Sequence, residues 1–303
     1  MNITFRQLKV FESVARHLNY TQAAHELHLS QPAVSMQIKQ LESNLGINLF
    51  DQIGKKTYLT EAGSEMYHYS RIISQQLEEA QEVLEQLKGV QRGRLTISVA
   101  STANYFATRL LAAFSKQYEF TSFSLDVTNR ETLIQQLENN EPDLVIMGLP
   151  PEDMDLVAED FMRNPLVVIS PPDHPLVGLK KIPLEQLQQE TFVVREQGSG
   201  TWIAMQRFFA AHEVTLNTGM EMTSNEAIKQ AVEAGLGLGI VSVHTLSLEL
   251  ETKRLAILDV ELFPILRHWY LVHRVGKRLS PVAEAFRAFV FEHSKSLFAD
   301  DMM

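Results

Sequence analysis

The stretch from Asn19 to Leu45, NYTQAAHELHLSQPAVSMQIKQLESNL, constrains this chain more than any other. Thr21 stands where it can cap a short helix in which Ala23, Ala24 and Leu27 permit close packing, and His28 and Leu29 make the turn that follows. Ser30 is placed to N-cap a second helix, its hydroxyl accepting an orphan backbone N–H, with Pro32 in the first turn where a missing N–H costs little. In that helix Val34, Ile38, Leu41 and Leu45 recur at spacings of four, three and four and make one buried stripe. At about 100° per residue, Pro32, Ser35, Met36, Lys39 and Ser43 point the other way, with Gln31 at the N-terminal tip. A plain solvated face would carry Glu and Lys in i,i+4 pairs. Short polar side chains with one cation instead suit hydrogen bonds to base edges and a hold on a phosphate when the helix N-terminus enters a major groove. The stretch reads as a DNA-binding helix-turn-helix.

The flanking segments support it. Phe5 to Leu18 is expected to be a helix with Leu8, Phe11, Ala15 and Leu18 on the supporting face. Leu49 to Ala62, LFDQIGKKTYLTEA, breaks the helical period and sets Gly54, Lys55 and Lys56 between two short apolar runs, a β-hairpin wing whose lysines reach flanking phosphates. The candidate DNA contacts are Thr21, Ser30, Gln31, Pro32, Ser35, Met36, Lys39, Lys55 and Lys56. A net charge of −10 looks wrong for such a protein until it is divided. Residues 1 to 59 hold six Lys or Arg against four acids and are +2, which leaves −12 for the rest. That asymmetry is expected where only one part of a chain meets nucleic acid.

From Thr60 the sequence favours helix for nearly thirty residues, ending near Gly89 and Gly93. Met66, Tyr69, Ile73, Leu77, Ala80, Leu84 and Leu87 form one apolar stripe opposite a face of Glu and Gln, which argues for pairing with a second copy. Beyond Gly93 strands and helices alternate: RLTISVA, a helix from Tyr105 to Tyr118, SFSLDV, a helix from Glu131 to Asn139 and the buried strand DLVIMG. A second unit begins at NPLVVISPPDHPL and contains TFVVRE, a helix from Trp202 to His212, GMEMT, a helix from Ala227 to Ala234 and LGIVSV. RHWYLVHR and a helix from Pro281 to His293 then return to the first unit. The expectation is an α/β domain with mostly parallel sheets in two lobes, behind an all-α winged helix-turn-helix and a long linker helix. The boundaries expected are 1–60 for DNA binding, 61–89 for the linker and 90–303 for the two-lobed domain. Its first lobe spans about 90–163 and 268–303, its second about 164–267.

Two spots suit a small anion bound in the cleft between such lobes. Ser101 and Thr102 follow a strand and precede a helix, and Gly198, Ser199, Gly200 and Thr201 do the same in the second lobe, where exposed N–H groups and the helix dipole favour negative charge. Gly148, at a strand end, and Asn225, in the capping run Ser224 to Glu226, complete the candidate effector site. Gly235, Gly237 and Gly239 follow a helix and precede a strand, the reverse of a dinucleotide fingerprint, and read as tight helix-to-strand packing. His25 and His28 lack a third ligand nearby and read as surface residues. With no cysteine and no nucleophile elbow, P-loop or HExxH motif, the sequence offers no catalytic residue and calls for no cofactor or metal. It has neither a signal-like segment nor the roughly 18 apolar residues of a membrane helix, so a cytoplasmic location without membrane contact is expected.

These residues resemble the LysR-type transcriptional regulators over almost the whole chain. AAHELHLSQPAVSMQIKQLESNLGINLF followed by LTEAG carries the resemblance most specifically. STANYF, NPLVVISPPDHPL, REQGSGT and SNEAIKQAVEAGLGLGIVS are similar in particular to the CbbR subgroup, which controls carbon-fixation operons. The resemblance implies a dimerising linker helix, a periplasmic-binding-protein-like effector domain and tetramers built of two dimers. It also implies double-stranded promoter DNA with an inverted repeat and T-N11-A core as partner, a metabolite such as a sugar phosphate or NADPH as signal, and RNA polymerase as a further contact. Leu149 and Trp202 stand where the subgroup is expected to have arginine, so two strong anion partners are missing and a highly charged bisphosphate is less favoured. Met36 and Gln52 occupy places often held by arginine in the wider family, so fewer charge contacts to DNA are expected. Two other classes stay open. An enzyme fused to a DNA-binding domain is one, and a transporter's solute-binding protein is the other, which suits only the second half. A regulator of a different metabolic pathway is the nearest variant.

Overall fold

The computed structural model describes residues 3–54, 56–87, 93–118 and 121–297. Lys55, the far end of the linker near Gly89 and the boundary expected at 89/90 lie outside them, as do the side chains of Leu84 and Leu87. The chain divides into an N-terminal and a C-terminal compact unit.

In the N-terminal unit, α1 (Phe5–His17) opens on a capping box in which the Thr4 side chain accepts from the Gln7 N–H while the Gln7 side chain accepts from the Thr4 N–H. It ends at Leu18 in a left-handed turn, φ 46°. That turn swings Leu18 out to 41% exposure, so it does not support the core as its spacing suggested. Helix α2 (Tyr20–Glu26) is capped by Asn19 rather than Thr21: Asn19 Oδ1 accepts from the backbone N–H of Thr21 at 2.9 Å and of Gln22 at 3.1 Å. Thr21 therefore lies inside the first turn with its side chain exposed. Helix α3 (Gln31–Leu45) is capped by Ser30, as its sequence predicts, and stops at Gly46 in the left-handed region. Phe11 and Val14 of α1, Ala23 and Ala24 of α2, and Val34, Ile38 and Leu41 of α3 close one core.

Strands β1 (Phe50–Ile53) and β2 (Lys56–Leu59) pair antiparallel as the wing. Helix α4 (Glu61–Leu87) follows, 27 residues and so about 40 Å long. Thr60 caps it by accepting from the Gly63 N–H at 2.9 Å. A Cβ on Gly63 would lie 2.0 Å from the Leu49 carbonyl oxygen, so only glycine lets the helix start this close to the wing. Small residues face inward on α4: Ser70 and Ser74 are buried, and the Ser74 hydroxyl donates to Glu12 of α1 at 2.9 Å. Tyr69, Ile73 and Leu77 of the apolar stripe remain 57%, 47% and 41% exposed.

The C-terminal unit runs β3 (Gly93–Ala100), α5 (Asn104–Ser115), β4 (Thr121–Thr128), α6 (Arg130–Glu138), β5 (Leu144–Met147) and β6 (Leu156–Arg163), then crosses to a second lobe. There follow β7 (Leu166–Ser170), β8 (Thr191–Arg195), α7 (Gly200–Ala211), β9 (Asn217–Met222), α8 (Asn225–Glu233), β10 (Leu238–Ser242), α9 (Ser247–Glu251) and β11 (Ala256–Ile257). The chain returns through β12 (His268–Arg274) to α10 (Pro281–Leu297). The sheet orders are β4-β3-β5-β12-β6 and β11-β7-β10-β8-β9. Both are mixed where mostly parallel sheets were expected, because β12 runs antiparallel to β5 and β6, and β7 antiparallel to β10 and β11. These are the two strands that arrive directly from the other lobe. The strands joined through helices, β3 with β4 and β5, and β8 with β9 and β10, are parallel, since a parallel pair needs a crossover connection.

Helices cover both faces of each sheet. Phe106 and Phe114 of α5 meet Phe286 and Phe289 of α10 on one face of the first sheet, while Leu133 and Leu137 of α6 pack on Val145 and Met147 on the other. In the second lobe Met205 and Phe209 of α7 cover one face, and Ile228 and Val232 of α8 cover the other. Of the three glycines expected to pack tightly, Gly237 and Gly239 do: a Cβ would meet the Thr191 carbonyl at 2.4 Å in the first case and the Ile228 and Val232 side chains at 2.9 Å in the second, whereas Gly235 turns in open space at φ +78°.

The exposed stripe of α4 generates a test. Ile73→Asp with Leu77→Asp places two charges where a second copy would exclude water, at a cost large enough to break a helix pair. Sedimentation velocity should show the double variant as a smaller species than wild type; an unchanged coefficient would move assembly away from α4.

Candidate functional site

On α3 the residues opposite the core form one continuous surface. Gln31, Pro32, Ser35, Met36, Lys39 and Ser43 line a shallow depression with Gln40, and Met36 is 63% exposed. Pro32 leaves the first turn one donor fewer, and Ser30 Oγ takes the Ala33 N–H. Lys56 projects from the wing, exposed. Behind this surface α2 is tied to α1 by Glu26, which accepts from Ser13 Oγ at 3.1 Å, from His17 Nε2 at 2.6 Å and from Arg16. Burial pushes this carboxyl up, but the hydrogen bonds from His17 and Ser13 with the Arg16 charge outweigh it and hold it below its ordinary range.

The second surface is the cleft between the lobes. The structure brings Ser101, Thr102 and Gly148 from the first lobe together with Ser199, Gly200 and Thr201 from the second. Thr102, Ser199 and Thr201 are buried. Three helical segments begin here: a 3-10 turn at Ser101–Ala103 leading into α5, α6 at Asn129 and Arg130, and α7 at Ser199 and Gly200. Ser199 caps α7 by accepting from the Trp202 N–H at 3.2 Å, and Asn129 caps α6 by accepting from the Thr132 N–H at 2.9 Å. Helix starts concentrate N–H groups and positive dipole ends on one small volume. Gly198 and Asn225 do not line it. Gly198 supplies the left-handed turn, φ +88°, that precedes Ser199. Asn225 sits one layer back and accepts from Arg195 Nη1 at 3.3 Å.

The chemistry unforeseen in the sequence is a group of three guanidiniums. Arg130, Arg195 and Arg267 all line the cleft. Arg195 is buried and paired with Glu196, its Nε and Nη2 each 2.6 Å from a carboxylate oxygen. Arg267 donates through Nη1 to the Gly200 carbonyl at 2.8 Å, and its Nε has no partner among the described residues. Burial first, and the Arg195 charge second, push Arg267 down to about 10. Among the described residues Asn164, fully buried, has neither amide atom satisfied, and the buried Trp269 indole N–H has no acceptor. Unpaired buried polar atoms are costly, each about 1–3 kcal/mol, and these belong to residues lining one cleft. The cleft has room for about 40 Å³, on the scale of a compact anionic group.

Leu149 and Trp202 do not flank this site as expected. Trp202 packs against the second lobe's core, and Leu149 lines a neighbouring cavity. The cleft nonetheless carries guanidiniums from other elements, Arg130 and Arg267, beside the Glu196-paired Arg195. Beside the cleft the lobes touch through Tyr105, whose hydroxyl donates to Glu226 Oε2 at 3.1 Å. Glu226 also pairs with buried Lys229 at 2.9 Å, and Lys229 with Glu249 at 2.6 Å. Among the described residues no cluster of His, Asp or Glu could hold a metal ion, and no helix is long and apolar enough to cross a membrane.

A winged helix-turn-helix with a two-lobed α/β unit and a cationic interlobe cleft defines a ligand-responsive transcriptional regulator. The chain belongs to the LysR family: the profile of the LysR substrate binding domain matches residues 88–295, and that of the bacterial regulatory helix-turn-helix protein, lysR family, matches residues 5–64. It is 60% identical to a RuBisCO operon transcriptional regulator of Allochromatium vinosum, over 97% of each chain. It is 46% identical to the HTH-type transcriptional regulator CbbR of Rhodospirillum rubrum, over 94% of this chain and 95% of that one. The regulatory domain of Synechocystis CcmR in complex with 2-PG superposes with a TM-score of 0.66 at 44% identity, covering 68% of this chain and 99% of that one. Full-length CbnR with its target DNA shares the fold, with a TM-score of 0.71 at 20% identity over 96% and 99% of the two chains.

The cost of burying the Arg267 guanidinium, with the Arg195 charge adding to it, can be measured. An arginine pushed below its ordinary range costs folded-state stability at every pH below about 10, and the cost fades as pH rises through that value. Arg267→Met should therefore raise the Tm of the ligand-free protein by about 2–4 °C at neutral pH. The gain over wild type should shrink in alkaline buffer, and calorimetry that found the variant less stable at neutral pH would remove the argument.

Proposed function

We propose that this chain regulates carbon-fixation genes of the RuBisCO-operon type in response to a small phosphate-bearing carboxylate held between its lobes. Its relatives at 60% and 46% identity are a RuBisCO operon regulator and a CbbR, and the 44% identical CcmR domain was solved with 2-PG, that is 2-phosphoglycolate. The observation that carries the ligand class is the convergence of Arg130, Arg195 and Arg267 on one cleft where Asn164 and Trp269 keep unpaired polar atoms. In this reading the phosphate takes the Arg267 guanidinium and the N–H groups at the α7 start, with Thr201 and Ser101 hydroxyls from opposite lobes. Gln31, Ser35 and Met36 read base edges, while Lys39 and Lys56 hold phosphates of an inverted repeat bound by a dimer of dimers in the cytoplasm. The ligand acts by preferring one arrangement of the assembly over another, and no catalytic step is involved.

Calorimetry with 2-phosphoglycolate tests the cleft. Thr201→Val and Ser101→Ala should each weaken binding at least tenfold while operator affinity without ligand stays unchanged. Full ligand affinity in both would place the pocket elsewhere. On the DNA side, Gln31→Ala and Ser35→Ala should each weaken specific binding by about 1–3 kcal/mol and non-specific binding less. Lys56→Ala should weaken all sequences alike and lower the salt slope by about one; an unchanged slope would take Lys56 off the DNA.

A further inference from the structure

A second and much larger cavity, about 740 Å³, opens beside the cationic cleft. Arg130, Gly200 and Arg267 line both, so the two share a wall. That size falls within the few hundred to about 1,000 Å³ typical of small-molecule sites. Its walls are apolar: Ile203 and Phe208 on one face of α7, with Leu149 at 48% and Leu266 at 68% exposure at the mouth. These leucines continue the apolar lining of the cavity out to its rim. Its polar groups are cationic on one side. Arg207 is exposed on α7, one helical turn from Ile203, and Arg130 reaches the Leu149 carbonyl from α6. Neither arginine forms an ion pair among the described residues, and each stands in the other's field. Glu152 and Asp153 stand on the cavity's lining too, so an anion is favoured only where the two guanidiniums meet.

We propose that this cavity is a second ligand site, for an organic monoanion with an apolar aromatic body, its charged group between Arg130 and Arg207 and its body against Ile203, Phe208 and Leu266. It goes beyond the small-anion cleft, whose charge density and size suit a different ligand. Because the two cavities share Arg130 and Arg267, occupancy of one changes the affinity of the other by a finite factor, and the same factor applies in both directions.

The probe is 8-anilinonaphthalene-1-sulfonate, one sulfonate on an aromatic body, titrated by fluorescence against the full-length protein. One saturable site per chain is expected, with Kd raised at least tenfold in Arg207→Glu and in Leu266→Glu. Both residues are exposed, so folding should be unaffected, and Arg207→Lys should retain binding within about threefold by keeping the charge. Added 2-phosphoglycolate should shift the dye's Kd to a plateau. A dye Kd that rises without limit would mean that both ligands occupy one cleft and would overturn the proposal. So would dye binding that is indifferent to both Glu variants. A changed sedimentation coefficient in Leu266→Glu would assign the patch to a contact between copies and overturn it as well. Calorimetry with 2-phosphoglycolate on Leu266→Glu separates the two readings, since the small-anion cleft should bind there as in wild type whatever the dye does.

Discussion

The C-terminal unit depends on a short antiparallel ladder where the chain crosses between lobes. The outgoing segment after β6 and the returning segment before β12 pair side by side: the Asn164 N–H donates to the Arg267 carbonyl at 2.7 Å, and Leu166 and Ile265 exchange bonds at 2.9 and 3.0 Å. Two bonded crossovers resist shear and twist far better than one, yet remain a narrow strip about which lobes can rock. The ladder also fixes which residues face the cleft. Asn164 and Arg267 are paired through their backbones, so their side chains are delivered together to its floor. Two residues past Arg267, the register slips between Trp269 and Tyr270, with Phe161 the extra residue on β6. Such bulges re-aim side chains near functional sites, and Trp269 lines the cleft beside this one.

A site built on a crossover ladder has an unusual relation to its ligand. Most pockets are lined by residues whose positions are settled by a core and merely touch the occupant. Here the groups that lack partners, Asn164, Arg267 Nε and Trp269 Nε1, belong to the segments that hold the lobes together. A compact anion would satisfy donors at the pivot itself, while the N–H groups of α5, α6 and α7 reach it from both lobes. Occupancy and lobe geometry are then one variable, and the interlobe contact of Tyr105 with Glu226 bears on the same movement from the cleft's edge.

The fold was largely legible in the sequence because its cues are local. Ser30, Pro32 and the stripe Val34, Ile38, Leu41 define α3 without reference to anything distant, and the alternation of strands and helices after Gly93 announces a two-lobed α/β unit. Errors arose where a local rule had two candidates. Asn19 and Thr21 both suit a cap, and only the backbone decided for Asn19. Leu18 kept the helical period but sat on the left-handed residue that ends the helix. Strand β6, LVAEDFMR, escaped because three of its eight residues are exposed and acids interrupt its apolar run. The candidate cleft was half legible. Ser101, Thr102 and Ser199 to Thr201 stand at strand-to-helix junctions, which a sequence displays. Arg130, Arg195 and Arg267 are far apart in the chain and carry no shared motif. Only the crossover and sheet order bring them together, and Leu149 and Trp202 line other surroundings than this cleft.

Gly63 has a mechanical consequence. With the Leu49 carbonyl occupying the space a Cβ would need, the first turn of α4 has no slack against the wing, while Ser74 and Glu12 tie the same helix to α1 three turns further along. Held at two points, α4 is a rigid rod rather than a tether. A tilt of about 10° at one end of a 40 Å rod displaces the other by roughly 7 Å, on the order of two base-pair steps. Whatever turns the distal end of this helix therefore carries the helix-turn-helix with it, and a single methyl group at position 63, by forcing the helix off the Leu49 carbonyl, would put backlash into the gear.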